Sequence, residues 1–362
     1  MDVMSAKPPT SLDVAREAGV SQATVSYVLN NREGMRISDE TRARVREAAD
    51  RLGYVPHAGA RTLRTGHSGL VLVPLVDIPY GVLAVGIMEE LDRELSRLGY
   101  TMIQYGARRL KGVAAARAWA ELRPVAVIAP AERLTRQAVD VLHSAGIKAV
   151  VGLGVVGWSS EIVSTVTMDH EAIGVTAAEH LAARGCSTLT AIVPVEDGLR
   201  EMGLRRASGV QRVAAAHGVP YTRVDLAFSE AAAAAMLDVW RDANSAGSAD
   251  SVDGADSVDG ADTAGRAPAK RGVFAYNDDY AMLLMAVLAD NGFSVPGDVA
   301  VVGCDDLPLA KLLRPRLTTV RFDVATAPAV LAQALDEVVK GGEIGRHRLT
   351  LWTHALVERD ST

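Results

Sequence analysis

The segment SLDVAREAGVSQATVSYVL, residues 11–29, admits few folds: it reads as two short helices joined by one tight turn. Thr10 and Asp13 have the spacing of a capping box, in which each side chain bonds the other residue's backbone N–H where a helix starts. Leu12, Val14, Ala15 and Ala18 give that helix an apolar side. Gly19 supplies the turn, because glycine enters positive φ without a Cβ clash, and Ser21 is placed to cap the second helix. In that helix Val25, Val28 and Leu29 recur at i, i+3 and i+4, which turns Gln22, Ala23, Ser26 and Tyr27 outward. A helix that shows short polar groups and is held by another helix beneath it fits the major groove of DNA.

A third helix follows and closes a small core. Ser38 caps it, Asp39 and Glu40 suit the positive end of its dipole, Ile37, Val45, Ala49 and Leu52 face the other two helices, and Gly53 ends it. Beyond lies a basic, helix-capable piece flanked by Pro56 and Gly66. Residues 1–66 carry ten Lys and Arg against eight Asp and Glu, a net of +2, which leaves −8 for the rest of a chain whose total is −6. The asymmetry places any nucleic-acid contact in this head.

The motifs Asp13-Val-Ala-Arg-Glu-Ala-Gly-Val-Ser21, Thr24-Val-Ser26, Val28-Leu29-Asn30, Ser38-x-x-Thr41-Arg, Leu52-Gly-Tyr-x-Pro56 and Ala60-Arg-x-Leu-Arg-Thr-Gly66 closely resemble the start of the lactose-repressor/galactose-repressor family of transcription regulators. The resemblance implies that the second helix reads the major groove, with Thr10, Ser21, Gln22, Ala23, Thr24, Ser26, Tyr27 and Asn30 at the DNA. It also implies that the piece after Pro56 becomes a hinge helix, bringing His57, Ala60, Arg61 and Leu63 to the minor groove. Leu63 stands at the wedge position, where an apolar side chain unstacks a base step and bends the duplex. Two departures matter. Tyr27 stands where the family usually has Arg, which removes a bidentate guanine contact. Gly59 costs the hinge helix ~1 kcal/mol of propensity, so its ordering is expected to need DNA and a second copy.

From residue 69 onward the pattern alternates strands and helices. Strands are expected at 70–76, 100–105, 125–129 and 147–153, with helices at 83–98, 113–122 and 134–145 between them. A second set is expected to begin with a strand at 163–168 and to continue through strands at 189–194, 272–276 and 299–303, with a last strand at 349–357. Such β-α units with short turns imply parallel sheets covered on both faces. The expected architecture is therefore a three-helix helix-turn-helix head over 1–55, a hinge over 56–67, and over 68–362 an α/β two-lobed core. The core's doubly wound parallel sheets resemble the family's periplasmic-binding-protein-like core, which carries a small ligand between its lobes. Residues 244–268, which repeat SVDGAD, lack apolar groups able to offset ordering entropy and read as a disordered insertion.

The pocket is drawn partly from chemistry and partly from resemblance. Arg206-Ala-Ser-Gly209, Asn277-Asp278 and Gly303-Cys304-Asp305-Asp306 match family segments in which the Arg, the Asn and the first Asp bond the effector. Arg206 then offers a fork of donors, Asp305 an acceptor for hydroxyls and Asn277 either. The competing readings make Asp305 a turn cap and Arg206 a surface residue, and they make Asp278 a helix cap. Asp77 and Tyr80 occupy the family's first pocket turn, where the usual Asn-Pro-Phe is replaced by Asp77-Ile-Pro-Tyr80; Tyr80, Trp158 and Tyr276 are the candidate stacking aromatics.

Other classes find little support. Gly152-Leu-Gly154-Val-Val-Gly157 matches a dinucleotide fingerprint but opens no helix, so it reads as inter-strand turns. His143, His170, His180 and His217 share no metal spacing, the Asp-Gly-Ala-Asp repeats lack the Glu of a calcium loop, and no nucleophile elbow occurs. An enzyme, a metal site and a cofactor are thus not expected. Cys186 and Cys304 read as free thiols, no run of about 18 apolar residues suggests a membrane span, and no secretory leader is read at the start, so a cytoplasmic location is expected. The partners expected are operator DNA, a small sugar-like effector and a second copy of the chain.

Overall fold

The computed structural model describes residues 8–29, 37–55, 68–75, 81–106, 110–155, 163–249, 270–323, 326–342, 348–350 and 353–362. The chain divides into two units, Met1–Gly69 and Leu70–Thr362.

The first unit holds α1 (Ser11–Ala18), α2 (Gln22–Leu29) and α3 (Asp39–Leu52). The capping box forms as expected: Asp13 N donates to Thr10 Oγ1 and Thr10 N to Asp13 Oδ2 at 2.9 Å. Gly19 and Gly53 end α1 and α3 at φ 65° and 62°. Val14, Val25, Val28, Val45 and Ala48 are almost wholly buried and form the core, with Leu29, Ile37 and Leu52 packed at its edge. Leu12 departs from expectation: it is more than half exposed and contributes nothing to that core, because its position turns it off the buried stripe of Val14, Ala15 and Ala18.

The second unit is built on two sheets. Its elements in chain order are β1 (Leu70–Pro74), α4 (Val82–Arg97), β2 (Thr101–Tyr105), α5 (Gly112–Ala120), β3 (Ala126–Pro130), α6 (Arg136–Ser144), β4 (Ala149–Val155), β5 (Ser164–Met168), α7 (His170–Ala183), β6 (Thr188–Pro194), α8 (Arg200–His217), β7 (Tyr221–Leu226), α9 (Glu230–Ala249), β8 (Arg271–Phe274), α10 (Asp278–Asp290), β9 (Val299–Cys304), β10 (Thr318–Phe322), α11 (Thr326–Val339), β11 (Arg348–Thr350) and β12 (His354–Val357). The first sheet runs β11-β5-β4-β3-β1-β2 and the second β12-β10-β9-β8-β6-β7; among the described residues only the β10–β12 pairing is antiparallel. Both reverse direction beside their first strand, which is the doubly wound arrangement, and ligands of such sheets sit outside the strands' carboxyl ends. The strands read as apolar runs because helices cover both faces: Leu72, Val127 and Trp119 bury on one side of the first sheet, Val71, Leu91 and Leu95 on the other.

The chain passes from the first lobe to the second after Met168, returns between Phe322 and Thr326, and leaves again between Thr350 and His354. Helix α11 accordingly packs Leu331, Leu335 and Val339 into the first lobe. Tyr100 Oη holds it there by donating to the Asp336 carboxylate at 2.8 Å, and Lys340 Nζ, one turn beyond Asp336, donates to the same carboxylate at 2.7 Å. The C-terminal residues fold onto the second lobe, where Ser361 Oγ donates to Val301 O at 2.6 Å.

Several expectations need correction. Strand β5 belongs to the first sheet, so the second lobe begins after it; apolar alternation marks a strand but not the sheet it joins. The expected last strand is two, β11 and β12, in different sheets. Strands β7 and β10 and helix α11 lie outside the expected set; β7 is half exposed at a sheet edge and so lacks an apolar run. Helix α9 continues into the insertion as far as Ala249, since extending a formed helix costs far less than starting one; residues 250–269 lie outside those described. Gly152 and Gly154 sit within β4 rather than in a turn, and a Cβ at Gly152 would meet Thr165 Cγ2 at 3.1 Å; Gly157 is outside the described residues.

Candidate functional site

Helix α2 presents the expected polar face. Gln22 and Ala23 are exposed, and Thr24, Ser26 and Tyr27 half-buried. Ser21 Oγ accepts from Thr24 N at 3.1 Å and pairs with Thr24 Oγ1 at 2.9 Å, so both hydroxyls are engaged in capping. Gln22 Nε2 donates to Ser11 Oγ at 2.7 Å, tying the first residue of α2 to the first of α1. Thr10 spends its side chain on the capping box. Asn30, His57, Ala60, Arg61 and Leu63 lie outside the described residues.

In the second unit a cluster forms at the carboxyl ends of the second-lobe strands. Arg206, on α8, is almost fully buried. Its Nε donates to His170 Nδ1 at 3.3 Å and one terminal nitrogen to the Tyr276 carbonyl at 2.5 Å, while its guanidinium carbon lies over the Tyr276 ring, 4.6 Å from the centroid. The reading of Arg206 as a surface residue therefore fails. What places it is a close crossing of α7 and α8: a Cβ at Gly174 would fall 1.9 Å from the Arg206 carbonyl oxygen, and one at Gly209 would fall 2.2 Å from that of Glu171. Burial works against the Arg206 charge, but Cys304, Tyr276, Asp305 and Asp278 outweigh it and hold the guanidinium protonated. Burial and that guanidinium push His170 well below the usual imidazole range, so it accepts as a neutral ring.

Asp305 follows β9, and its Oδ1 is buried without a hydrogen-bond partner. Among the described residues it makes no capping bond to a turn; burial raises its carboxyl to about 6, although Arg206 and a hydrogen bond with Cys304 pull the other way. Tyr276, Asp305 and Asp306 take left-handed φ values of 57°, 109° and 50°. Side-chain-bearing residues hold such values at a cost of roughly 1–3 kcal/mol each, and such strain gathers at ligand sites. Burial also pushes the Tyr276 phenol up to about 12.

Asn277 is the residue that caps α10, its Oδ1 accepting from Tyr280 N at 3.1 Å. Asp278, expected as the cap, is instead the first residue of α10 and completely buried; its carboxylate accepts from Leu307 N at 2.7 Å and Thr319 Oγ1 at 2.6 Å. Gly303 is required beside it, since a Cβ there would stand 2.3 Å from Asp278 Oδ1. Asp306 pairs with Arg359 at 2.5 Å and serves the C-terminal tail. Asp77, Tyr80 and Trp158 lie outside the described residues.

Comparison with known proteins decides the family. The model of "Bacterial regulatory proteins, lacI family" matches residues 10–57, and that of "Periplasmic binding protein-like domain" matches residues 178–362. The HTH-type transcriptional regulator GalS of Salmonella typhimurium is 28% identical, over 96% of this chain and 94% of its own. The regulator CelR of Thermobifida fusca is also 28% identical, over 96% and 97%. The chain belongs to the lacI family of bacterial regulatory proteins. A solved CelR–cellobiose complex is 25% identical at a TM-score of 0.61, covering 98% of this chain and 100% of that one. The lac repressor dimer bound to operator and the anti-inducer ONPF shares the fold at a TM-score of 0.72 and 22% identity, covering 98% and 99%. As a lacI-family member the chain is a DNA-binding transcription regulator.

Three residues of the cluster, His170, Glu196 and Phe228, and Arg133 at the first sheet, are not singled out as site residues by the sequence of this lacI-family chain. His170 was considered only as a metal ligand. Glu196, beyond the end of β6, accepts from Tyr280 Oη at 2.5 Å and from Phe228 N at 2.9 Å. Phe228, beyond the end of β7, is 55% exposed and meets the Tyr280 ring edge-on at 5.1 Å. Arg133, just past β3, is buried and donates to Leu75 O at 3.2 Å at the carboxyl end of the first sheet. For His170, Glu196 and Arg133 the available signal is a charged or titratable residue within four positions of an expected strand's end; Phe228 follows β7, which lacks an apolar run, and carries no such signal.

Proposed function

We propose that the chain is a cytoplasmic repressor that binds an approximately palindromic operator as a homodimer, and that a small sugar-like molecule between its lobes controls its operator affinity. The observation that carries the effector reading is the buried Arg206 guanidinium beside the unpartnered Oδ1 of Asp305, at the carboxyl ends where a doubly wound sheet binds ligands. A buried acceptor without a donor is costly, and a ligand hydroxyl supplies the missing proton. Arg206 donates from the guanidinium edge not given to His170 and Tyr276, the Asn277 amide donates beside its capping oxygen, and Phe228 offers an exposed ring against which a sugar face packs. Asp77 and Tyr80 complete the pocket from the first lobe by resemblance. The likeness to a regulator solved with cellobiose supports a sugar. At the head, Tyr27 and its neighbours on α2 read the major groove, while His57, Ala60, Arg61 and Leu63 of the hinge act in the minor groove. One head offers few base contacts, and a two-fold dimer matches a two-fold site.

A thermal-shift screen with cellobiose, other sugars and small polar metabolites tests the effector. A ligand at about 100 times its Kd adds ~2.7 kcal/mol and raises the midpoint. Stabilisation by a non-sugar metabolite with no response to any sugar would exclude the sugar reading. A stable monomer sedimenting on operator DNA would exclude the dimer.

A further inference from the structure

The first residue of α2 is held in place from outside its own helix. Ser11 opens α1, whose start is fixed by the Thr10–Asp13 capping box, and its hydroxyl accepts from Gln22 Nε2 at 2.7 Å across the turn. Ser21 and Thr24, the neighbouring hydroxyls, are occupied with each other and with the helix end. The Gln22 side chain is exposed, and beyond its bond to Ser11 it retains the amide oxygen and the second Nε2 hydrogen. An amide bidentate to a base in the major groove needs one acceptor and one donor side by side, and adenine offers the complement through N6 and N7. The outward positions of α2 from Gln22 to Tyr27 include no Arg or Lys, so the usual bidentate guanine contact is absent from this face.

We propose that Gln22, oriented by Ser11, reads an adenine in each operator half-site, and that Ser11 is therefore a positioning residue for base recognition. This rests on the reading of α2 as the DNA-reading helix. Holding one Nε2 hydrogen on Ser11 Oγ fixes the amide plane before DNA arrives and settles which edge is oxygen and which is N–H. Fixing the rotamer in advance removes the ordering cost that a long, free glutamine side chain meets on binding. A freely rotating amide also pairs with other donor and acceptor sets, so losing Ser11 relaxes the choice of base.

Selection of bound sequences from a randomised DNA pool with the full-length chain needs no prior operator. The wild type is expected to enrich a two-fold motif with an adenine at a symmetric pair of positions. Gln22→Ala is expected to lose roughly tenfold in preference at that pair and to keep the other positions, in line with one bidentate pair. Ser11→Ala is expected to weaken the preference at the same pair only, and Ser11→Thr, which keeps the hydroxyl, to restore it; a structural role would move all positions together. A Gln22 position occupied by G, C or T, or a Ser11→Ala pool identical to wild type, would overturn the assignment alone. A wild-type pool without any enriched motif would overturn sequence-specific binding itself, and the assignment with it.

Discussion

Asp278 ties the charge state of a single carboxyl to the stability of the second lobe. It is completely buried, accepts two hydrogen bonds, and is raised to about 7 by burial, with Thr319 and Leu307 opposing and Asp305 and Asp306 adding to the rise. The folded value exceeds the unfolded one, so its contribution is fully present below about pH 4 and is lost as pH rises through about 7. Asp278→Asn keeps an acceptor for Leu307 N and gives Thr319 a donor, while removing the titration. The variant is therefore expected to show a flatter stability-against-pH curve between pH 4 and 7, by up to about 1.4 kcal/mol per pH unit. Denaturant midpoints at successive pH values measure this, and a slope equal to wild type would show that Asp278 does not titrate in that window.

At the scale of elements, the crossing of α7 and α8 places the buried Arg206 of the proposed pocket. Gly209→Ala puts a methyl 2.2 Å from the Glu171 carbonyl oxygen and 2.8 Å from Val175 N, both backbone atoms without freedom to give way. Separating the helices is expected to cost about 1–3 kcal/mol or more. Because α8 carries Arg206, effector affinity is expected to fall with it, a joint loss that calorimetry and ligand titration of the same variant would detect. Much of this was legible in sequence. Gly19, the Thr10–Asp13 box and the polar outer face of α2 are local signals, and each came out as expected in the folded head. The Arg206-Ala-Ser-Gly209 spacing singled out a pair whose reason is visible only in three dimensions, where Gly209 admits the neighbouring helix and Arg206 buries its charge. What sequence did not yield depends on sheet assignment and distant partners. Strand β5 joins the first sheet, β11 and β12 part company, and His170 meets Arg206 from 36 residues away.

For the whole molecule, DNA affinity and effector affinity are linked quantities. An effector changes operator affinity only by the factor with which it favours one lobe arrangement, and operator changes effector affinity by the same factor. The passages after Met168, between Phe322 and Thr326 and between Thr350 and His354 are the backbone connections through which the lobes can re-orient. In the proposed mechanism the hinge expected from resemblance is the DNA end of the linkage, with Leu63 as its proposed wedge; a glycine such as Gly59 costs a helix ~1 kcal/mol of propensity. Two variants separate the ends. Leu63→Ala is expected to lose most specific operator binding while its effector affinity in the absence of DNA stays near wild type. Arg206→Ala is expected to keep operator affinity without effector and to lose the response, typically a 5–150-fold change for coupling of this kind. Operator titrations with and without effector, and effector titrations with and without operator, close the cycle for each protein. In wild type the two ratios must agree; in either variant both must collapse toward one. Wild-type operator affinity and DNA bending in Leu63→Ala would remove the wedge from this mechanism, whereas an intact response in Arg206→Ala would move the effector away from the buried guanidinium.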